Sequence, residues 1–432
     1  MTKLLPAQVL TYLNKNGVGP RNITGNTAGI NCCIAIPSLN EFDNLKILLN
    51  SLAENDNQYF NDSLFLFIVN NTADAEDTVK QNNIKTLAFL EGIVNNRDSD
   101  FSANKIIKSG LRIAFIDAAS AGKELDDVEG GVGLARKIAM DEALKIFNYN
   151  CSATKLLVCL DADCTVDKNY LTEIRSHFNS KKSSAAVVNY RHNSGEDNIN
   201  TYAIICYEIY LRYYELALRY AKSPYAFHTI GSTMACDVAS YIKAEGMNKR
   251  KAAEDFYFLS KLSKFCKVEK IDATNVYPSS RESDRVPFGT GQRVSRYLSY
   301  VRNEYELYNP EIFRNLKLWN EYYLSPDFDE NNKAAIPASI DSYLRQNNFY
   351  NSFARIKDNS KTARQLLNQK TRWFDAFRTL KYIHYAKDEH FENINMFKAV
   401  EWLLKENDIP VNINEAPSID EQRDILNLLR NL

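Results

Sequence analysis

Short, continuous apolar segments alternate with amphipathic segments along the first two thirds of the chain. Each apolar segment is long enough for a strand that is buried on both faces, and each is followed by polar residues that favour a turn. The predicted strands are 31–36, 64–69, 112–116, 156–160, 185–190 and 268–276. Helical periods between them include 134–147 and 198–221. Strands that alternate with helices in this way predict an α/β fold with a mainly parallel sheet and right-handed crossovers.

The pattern divides the chain into three regions. Residues 1–29 combine a short helical period with several glycines and are interpreted as a lead-in. Residues 30–291 contain the alternating strands and helices, whereas only helical periods are found from residue 292 onward. A chain of 432 residues is long enough for more than one domain. We therefore expect a sheet domain over 30–291 and a helical C-terminal domain over 292–432.

Composition and charge narrow the class of protein. Lys plus Arg number 53 against 54 for Asp plus Glu, and the net charge of -1 argues against nucleic acid as a partner. The eight cysteines form no CxxC pair and are expected to be reduced. Since neither a signal-peptide pattern nor a run of about 18 apolar residues is found, we expect a cytoplasmic protein without a transmembrane segment. The aromatic and basic C-terminal region leaves peripheral membrane contact and homo-oligomer formation open.

The apolar run from Leu156 to Leu160 ends at two carboxylates, Asp161 and Asp163. In an open α/β sheet, ligands bind in the crevice beyond the carboxyl ends of the strands. Two carboxylates at such a strand end can hold a hard divalent cation and the phosphates that it carries. A solvated turn is the alternative, because Asp is common in turns after strands.

Further polar motifs follow predicted strands or begin predicted helices. In chain order they are Pro37-Ser38-Leu39-Asn40-Glu41, Val69-Asn70-Asn71-Thr72, Gly133-Leu134-Ala135-Arg136-Lys137 and Glu254-Asp255. Taken singly, each has a plain structural interpretation. Arg136 fits a helix surface whose side chain reaches water, and Glu254 with Asp255 fits the first turn of a helix, where acidic residues complement the helix dipole.

In this order, and with Asp161-Ala162-Asp163 among them, the motifs resemble those of GT-A fold glycosyltransferases, in particular the large family 2 of nucleotide-sugar-dependent enzymes. The resemblance covers roughly residues 30–292 and implies a Rossmann-like GT-A sheet domain. It also implies a hexosyltransferase. Such an enzyme moves a hexose-like sugar from a UDP- or GDP-linked donor to the hydroxyl of a glycan or small-molecule acceptor.

The resemblance implies roles for individual residues. Those implied in nucleotide-sugar binding are Pro37, Ser38, Asn40, Glu41, Asn70, Asn71, Arg136 and Asp161. Asp163, assisted by Asp161, is expected to hold Mn²⁺ or Mg²⁺, which stabilises the departing diphosphate as a Lewis acid. Asp255, beside Glu254, is expected to take the proton of the acceptor hydroxyl in an inverting displacement.

Two other segments are open to more than one interpretation. Arg281 and Arg285, in the polar loop after the last predicted strand, are suited to the donor diphosphate because guanidinium groups pair with phosphate oxygens at two points. A solvated surface loop fits them equally well. Gly231-Ser232-Thr233 fits either the acceptor side of the site or a tight turn beneath the sheet.

The chain departs from the family pattern at several positions. Leu39 stands where many members place an aromatic that stacks on the base, and Asn70-Asn71 replaces the commoner acidic residues. Because asparagine both donates and accepts hydrogen bonds, uracil and guanine remain open as the base. The Gln-x-x-Arg-Trp motif of processive members is not found, so a non-processive enzyme is expected. His192 and His228 are interpreted as structural histidines.

Three rival functions fit parts of the sequence. Asp161-Ala162-Asp163-Cys164-Thr165-Val166 also resembles the first motif of haloacid-dehalogenase-like phosphatases, in which Asp161 is the nucleophile and Asp163 the acid/base. That motif normally opens its domain, whereas here three strand-turn-helix units precede it. A nucleotidyltransferase would need a basic glycine-rich loop after the first strand, which Pro37 to Glu41 lacks. The third rival function is that of a non-catalytic GT-A-like binding protein. Loss of Asp163 or Asp255 would indicate such a protein, and both residues are present.

Overall fold

The computed structural model describes residues 5–97, 101–194, 198–281, 290–299 and 303–432. Contacts between residues divide the chain into two compact units. The first contains the described residues up to Asn193 together with Thr229–Ser279, and the second contains the described residues from Ser194 to His228, Ser280, Arg281 and the described residues from 290 to 432. In this division the helical segment 198–221 groups with the C-terminal helices, and the sequence-based domain boundary at residue 292 stays a prediction.

Strands and helices of the described residues are numbered in chain order. The strands are β1 (Ile23–Gly25), β2 (Cys32–Ser38), β3 (Ser63–Asn70), β4 (Ile113–Ala118), β5 (Leu156–Cys159), β6 (Thr165–Val166), β7 (Ala185–Tyr190), β8 (Met234–Asp237), β9 (Val268–Tyr277), β10 (Glu306–Leu307) and β11 (Ile394–Asn395). The helices are α1 (Ala7–Asn16), α2 (Phe42–Ala53), α3 (Asp77–Val94), α4 (Phe101–Ser109), α5 (Val132–Ile146), α6 (Tyr170–Lys181), α7 (Ile199–Tyr220), α8 (Val238–Lys243), α9 (Glu254–Leu262), α10 (Thr290–Leu298), α11 (Pro310–Tyr323), α12 (Ala338–Gln346), α13 (Phe349–Asp358), α14 (Ala363–Trp373), α15 (Ala376–Glu389), α16 (Met396–Glu406) and α17 (Ile419–Arg430).

The first unit is built on a mixed sheet with the strand order β1-β4-β3-β2-β5-β8-β7-β9-β6. Strands β4, β3, β2 and β5 run parallel to one another, as do β7 and β9. Strand β8 lies antiparallel between β5 and β7, and the short strands β1 and β6 pair antiparallel at the edges. The predicted fold class, an α/β fold with a mixed and mainly parallel sheet flanked by helices, is thereby confirmed.

The central strands are buried on both faces, as their continuous apolar sequences predict. Alternate residues, including Ile34 and Val158, join an apolar cluster with α2, α3, α4 and α6. On the opposite face, Cys159 contacts Met140 of α5, with 3.9 Å between the two sulfur atoms. The sheet therefore forms the middle layer of the unit, and its polar residues gather where the strands end.

The register of the parallel strands brings several of the predicted motifs to one edge of the sheet. Ser38 at the end of β2 pairs with Val69 near the end of β3, and Ala35 of β2 pairs with Cys159 at the end of β5. The backbone N–H of Leu160 donates to the carbonyl of Ala35 at 3.2 Å, which extends that pairing. The first turn, the second turn and the Asp161 segment therefore leave the sheet at the same edge.

The segment interpreted as a lead-in is part of the first unit. Tyr12 of α1 donates through its hydroxyl to Asp141 Oδ1 at 2.8 Å, and Tyr241 donates to the same oxygen at 2.8 Å. Lys137 pairs with the other oxygen of Asp141 at 3.1 Å. These groups are buried, so the network attaches α1 to α5 through a satisfied ion pair.

The second unit is helical except for the short antiparallel pair β10 and β11. Its core is rich in aromatic side chains: the rings of Trp319 and Tyr323 stack at 4.5 Å, and Phe349 and Phe374 meet Trp319 edge-on. Such pairs add to the stabilisation from area burial. None of the helices in the described ranges combines the length and the apolar character that a membrane span requires.

Candidate functional site

The turn after β5 presents two carboxylates on its accessible side. Within 161–164, Ala162 and Cys164 are buried, whereas Asp161 and Asp163 are partly exposed. The backbone N–H of Cys164 donates to the carbonyl of Asp161 at 3.2 Å, which closes the turn. The apolar residues of the turn thus anchor it in the core, and its two carboxylates lie partly exposed at the sheet edge.

Arg136 connects this turn to the start of α9. One terminal nitrogen of its guanidinium donates to Asp161 Oδ1 and the other to Glu254 Oε1. The Arg136 side chain is only 2% exposed, and Glu254 is 7% exposed, whereas Asp161 is 34% exposed. Burial lowers the pKa of Arg136, but the two carboxylates more than offset this effect, so its pKa lies above the ordinary value. Arg136 is therefore a permanent cation that holds two acidic segments together.

Gly231 makes room for this guanidinium. A Cβ atom at Gly231 would lie 2.5 and 2.7 Å from the two terminal nitrogens of Arg136, which is closer than atoms can approach. Gly231 begins the short 3₁₀ turn Gly231–Thr233 before β8, and all of its residues are buried. The segment forms a tight turn, which is one of its two predicted interpretations, and the close approach of Arg136 explains why its first residue is glycine. The suggested role of Gly231 on the acceptor side stays a prediction.

The acidic pair begins α9, as predicted. Asn248 Nδ2 donates to the backbone carbonyl of Glu254 at 2.8 Å, and the backbone N–H of Phe256 donates to Asp255 Oδ1 at 2.6 Å. Burial raises the pKa of Glu254 against the opposing charge of Arg136. Burial and then the charge of Glu254 raise the pKa of Asp255 to about 7. A carboxyl group with this pKa can exchange a proton at neutral pH, which is a property of general bases.

The first and second turns contain buried polar atoms without partners. Ser38 at the end of β2 is fully buried and Asn70 at the end of β3 is 4% exposed. Among the described residues, neither Ser38 Oγ nor Asn70 Oδ1 has a hydrogen-bond partner. Leaving a buried polar atom unpaired costs about 1–3 kcal/mol. A bound ligand with complementary polar groups would remove that cost.

The remaining residues of these turns are held by the protein itself. Asn40 adopts a left-handed backbone conformation with φ of 57°, and Glu41 accepts a hydrogen bond from Asn44 Nδ2 at 2.7 Å. The side-chain nitrogen of Asn71 donates to the carbonyls of Thr72 and Ala119 at 3.0 and 3.4 Å. Pro37 is the β2 residue before Ser38 and pairs in register with Ile68 of β3. The nucleotide-binding roles of these residues stay predictions.

Asn83 of α3 was not singled out from the sequence, although it contacts both turns. It is fully buried, and Thr86, Leu90 and Ile93 are also buried farther along the same face of the helix. An asparagine inside a helical segment usually indicates a solvent-facing position. Asn83 has the helical spacing of these buried residues, and this periodicity could have identified it from the sequence.

Two arginines, Arg281 and Arg285, belong to the loop that the sequence suggests for phosphate binding. Arg281 follows β9 and is half-buried, and Arg285 lies outside the described residues. Their role at the diphosphate stays a prediction.

The residues of the Asp161 turn fit a divalent cation of the kind that phosphates bring with them. Within the described ranges, no group of three or more His, Cys, Asp or Glu side chains forms a cage for a metal ion. Mg²⁺ ordinarily keeps several waters and is bound through one or two carboxylates plus substrate phosphates, so a closed protein cage is not required. The carboxylates of Asp161 and Asp163, both partly exposed in the same turn, are oxygen ligands of the required type.

Comparisons with known proteins return matches among solved structures. No protein-family model matches the chain, and no curated protein matches it. The matched structures include TarS 1–349 of S. aureus in complex with UDP-GlcNAc, at 13% identity over 79% of this chain and 90% of that chain, with a TM-score of 0.38. They also include glucosyl-3-phosphoglycerate synthase from Mycobacterium tuberculosis with Mn²⁺, UDP and phosphoglyceric acid, at 14% identity over 63% of this chain and 78% of that chain, with a TM-score of 0.35.

A third match is the mannosyltransferase PcManGT from Pyrobaculum calidifontis with GDP-Man and Mn²⁺. It is 13% identical over 89% of this chain and 94% of that chain, with a TM-score of 0.36. These three structures contain a nucleotide or a nucleotide sugar. All three TM-scores lie below 0.5.

Proposed function

We propose that the chain is a metal-dependent hexosyltransferase that transfers one hexose-like sugar from a UDP- or GDP-linked donor to an acceptor hydroxyl, with inversion. The observation that carries this proposal is the bridge made by Arg136. It ties the strand end that bears Asp161 and Asp163 to the helix start that bears Glu254 and Asp255. The segment proposed to bind the metal and the segment proposed to bear the base are thereby joined by the guanidinium of Arg136.

The donor nucleotide is proposed to bind at the first and second turns. The unpartnered atoms Ser38 Oγ and Asn70 Oδ1 support this, because a nucleoside offers donors and acceptors for both. Asn40, Glu41 and Asn71 complete the proposed site, and Arg281 and Arg285 are proposed to pair with the diphosphate.

Asp163 is proposed to hold Mn²⁺ or Mg²⁺ together with the phosphates of the donor, with Asp161 assisting. When bound, the cation neutralises the negative charge that develops on the departing diphosphate. Arg136 is not proposed to supply that charge in its place, because its buried guanidinium is already paired with Asp161 and Glu254. Its contribution is to orient Asp161.

Asp255 is proposed to be the general base. Its carboxylate accepts the proton of the acceptor hydroxyl while the hydroxyl oxygen forms a bond to the anomeric carbon. The bond between that carbon and the donor phosphate breaks on the opposite side, and the nucleoside diphosphate leaves with its electron pair. The pKa of about 7 supports this role, because the base is then ionised in much of the protein at neutral pH and still binds a proton well.

Nucleotide binding tests this proposal. We expect calorimetry to show Mn²⁺-dependent binding of UDP or GDP to the wild type, and loss of that binding in Asp163→Ala, because the mutation removes the carboxylate that holds the cation. Asp126→Asn is the matched control. Asp126 is an exposed aspartate of the same unit that accepts backbone hydrogen bonds, which an asparagine oxygen can also accept.

The contrary outcomes are specific. Equal binding of the nucleoside diphosphate by wild type and Asp163→Ala would remove Asp163 from the metal site. Absence of nucleotide binding together with Mg²⁺-dependent hydrolysis of p-nitrophenyl phosphate would favour the phosphatase, with Asp161 as nucleophile. Absence of both nucleotide binding and phosphatase activity would favour a non-catalytic binding protein.

A further inference from the structure

Asn83 lies inside α3, yet its side chain contacts two loops that follow different strands. It is 0% exposed. Its Nδ2 donates to the backbone carbonyl of Asn70 at 3.0 Å and to Asn71 Oδ1 at 2.9 Å. The backbone N–H of Asn40 donates to its Oδ1 at 2.9 Å. One amide group therefore links the turn after β2 to the turn after β3.

The hydrogen-bond pattern requires an amide at this position. The side chain of asparagine has two N–H donors on one atom and an acceptor on the other, and all of these functions are used here. A carboxylate would still accept from Asn40 but would present an oxygen to the two acceptors, Asn70 O and Asn71 Oδ1. An apolar side chain would remove all three hydrogen bonds, and the two made to Asn70 and Asn71 are buried.

The partners of Asn83 are residues whose conformations need support. Asn40 has a left-handed backbone, which costs energy in a residue other than glycine and persists where surrounding contacts impose it. Asn70 and Asn71 are both buried, and Asn70 carries one of the unpartnered polar atoms of the proposed nucleotide site. A shift of Asn83 would therefore alter both turns together.

We propose that Asn83 is a positioning residue that fixes the first and second turns relative to each other and so sets the affinity for the nucleoside part of the donor. The inference rests on the proposed function. Through its hydrogen bonds, Asn83 holds in place the residues that are proposed to contact the nucleotide. Its removal consequently weakens binding of the nucleotide and leaves the chemistry at Asp255 in place.

The preceding residue provides a matched control. Asn82 accepts a hydrogen bond through Oδ1 from the backbone N–H of Phe42, at 3.1 Å, at the first residue of α2. An aspartate at position 82 can accept the same hydrogen bond, so Asn82→Asp is expected to bind nucleotide like the wild type. The same substitution at position 83 places a carboxylate oxygen against two acceptor oxygens, Asn70 O and Asn71 Oδ1.

The test compares wild type, Asn83→Asp, Asn83→Ala and Asn82→Asp by calorimetry with UDP, GDP, UMP and GMP and by donor kinetics, well below the unfolding temperature of each variant. We expect both substitutions of Asn83 to raise Kd and donor KM by about tenfold, as for the loss of one to two hydrogen bonds, with kcat within about twofold of wild type. The same loss should appear with the monophosphate, because the effect concerns the nucleoside. Asn83→Ala serves if Asn83→Asp does not fold.

The outcomes separate this inference from the function on which it rests. A wild type that binds no nucleotide overturns the proposed function and this inference with it. A wild type that binds nucleotide, alongside Asn83 variants with unchanged Kd, overturns this inference alone. Variants that unfold at lower temperature but keep wild-type Kd and KM would show that Asn83 only stabilises the fold.

Discussion

Replacement of Asp255 by asparagine is expected to lower kcat by about 10²–10⁴-fold and to leave the affinity for the donor nucleotide unchanged, because it removes only the proton acceptor. The asparagine oxygen can keep the hydrogen bond that Asp255 Oδ1 accepts from the backbone N–H of Phe256. The local geometry at the start of α9 should therefore persist. The expected loss is confined to the chemical step.

The pH dependence of the wild type should report the same group. Asp255 acts as a base only when ionised, so kcat/KM should rise with pH through about 7 and level off above it. The residual activity of Asp255→Asn should lack this rise. Stability should change in the opposite sense. A carboxyl group whose pKa is raised on folding favours the unfolded state once the pH exceeds its unfolded pKa, and this effect is complete above about pH 7. Asp255→Asn should therefore be at least as stable as the wild type at pH 8.

The control for Asp255→Asn is Asp272→Asn, which removes a carboxylate that is 66% exposed on β9 and pairs with Lys270. Initial rates at saturating donor and urea unfolding curves should be measured on both variants. The assignment of the base is wrong if Asp255→Asn keeps wild-type kcat, or if its pH profile retains the rise near 7.

Replacement of Arg136 by methionine is expected to lower the free energy of unfolding by about 3–5 kcal/mol, because it leaves the buried carboxylate of Glu254 without its cation. Asp161 would lose the same partner but is more exposed and can be solvated. Activity should also fall, since the turn that bears Asp161 and Asp163 would no longer be tied to α9. Urea denaturation followed by circular dichroism measures the first effect, and donor turnover measures the second.

A double substitution distinguishes this explanation from a simple loss of packing. In Arg136→Met with Glu254→Gln, no unpaired charge is buried, so most of the lost stability should return. Activity should stay low, because the bridge is still absent. Recovery of neither property would mean that the side chain of Arg136 stabilises the unit mainly through its packing, contrary to the proposed bridge.

The fold could be predicted from the sequence wherever an element carries its own pattern. Strand β7 has the predicted bounds, Ala185–Tyr190, because every residue in it is apolar or buried and polar residues flank it. Strand β8 was not predicted, since four residues after a glycine turn carry no periodicity of their own. It pairs with β5 and β7, which are distant in sequence, and those pairings define it.

The candidate site shows the same division. Asp161 and Asp163 follow an unmistakable buried strand, and Glu254 and Asp255 begin a helix, so their residue types and positions were open to prediction. The contacts that assemble them were not. Arg136 meets partners 25 and 118 positions away. Its fit against Gly231 depends on a missing Cβ atom. Sequence patterns describe local order, whereas these contacts arise only when distant segments pack.

The proposed activity itself is tested most directly by measuring release of nucleoside diphosphate from UDP- and GDP-hexoses by the purified protein in the presence of Mn²⁺. Water can take the place of the acceptor hydroxyl, so the identity of the acceptor is not needed. We predict release from donors of one base, abolished by chelation of the metal and by Asp163→Ala, and strongly reduced in Asp255→Asn. Absence of release from every donor, by a folded protein with Mn²⁺ and a panel of acceptors, would contradict the proposal.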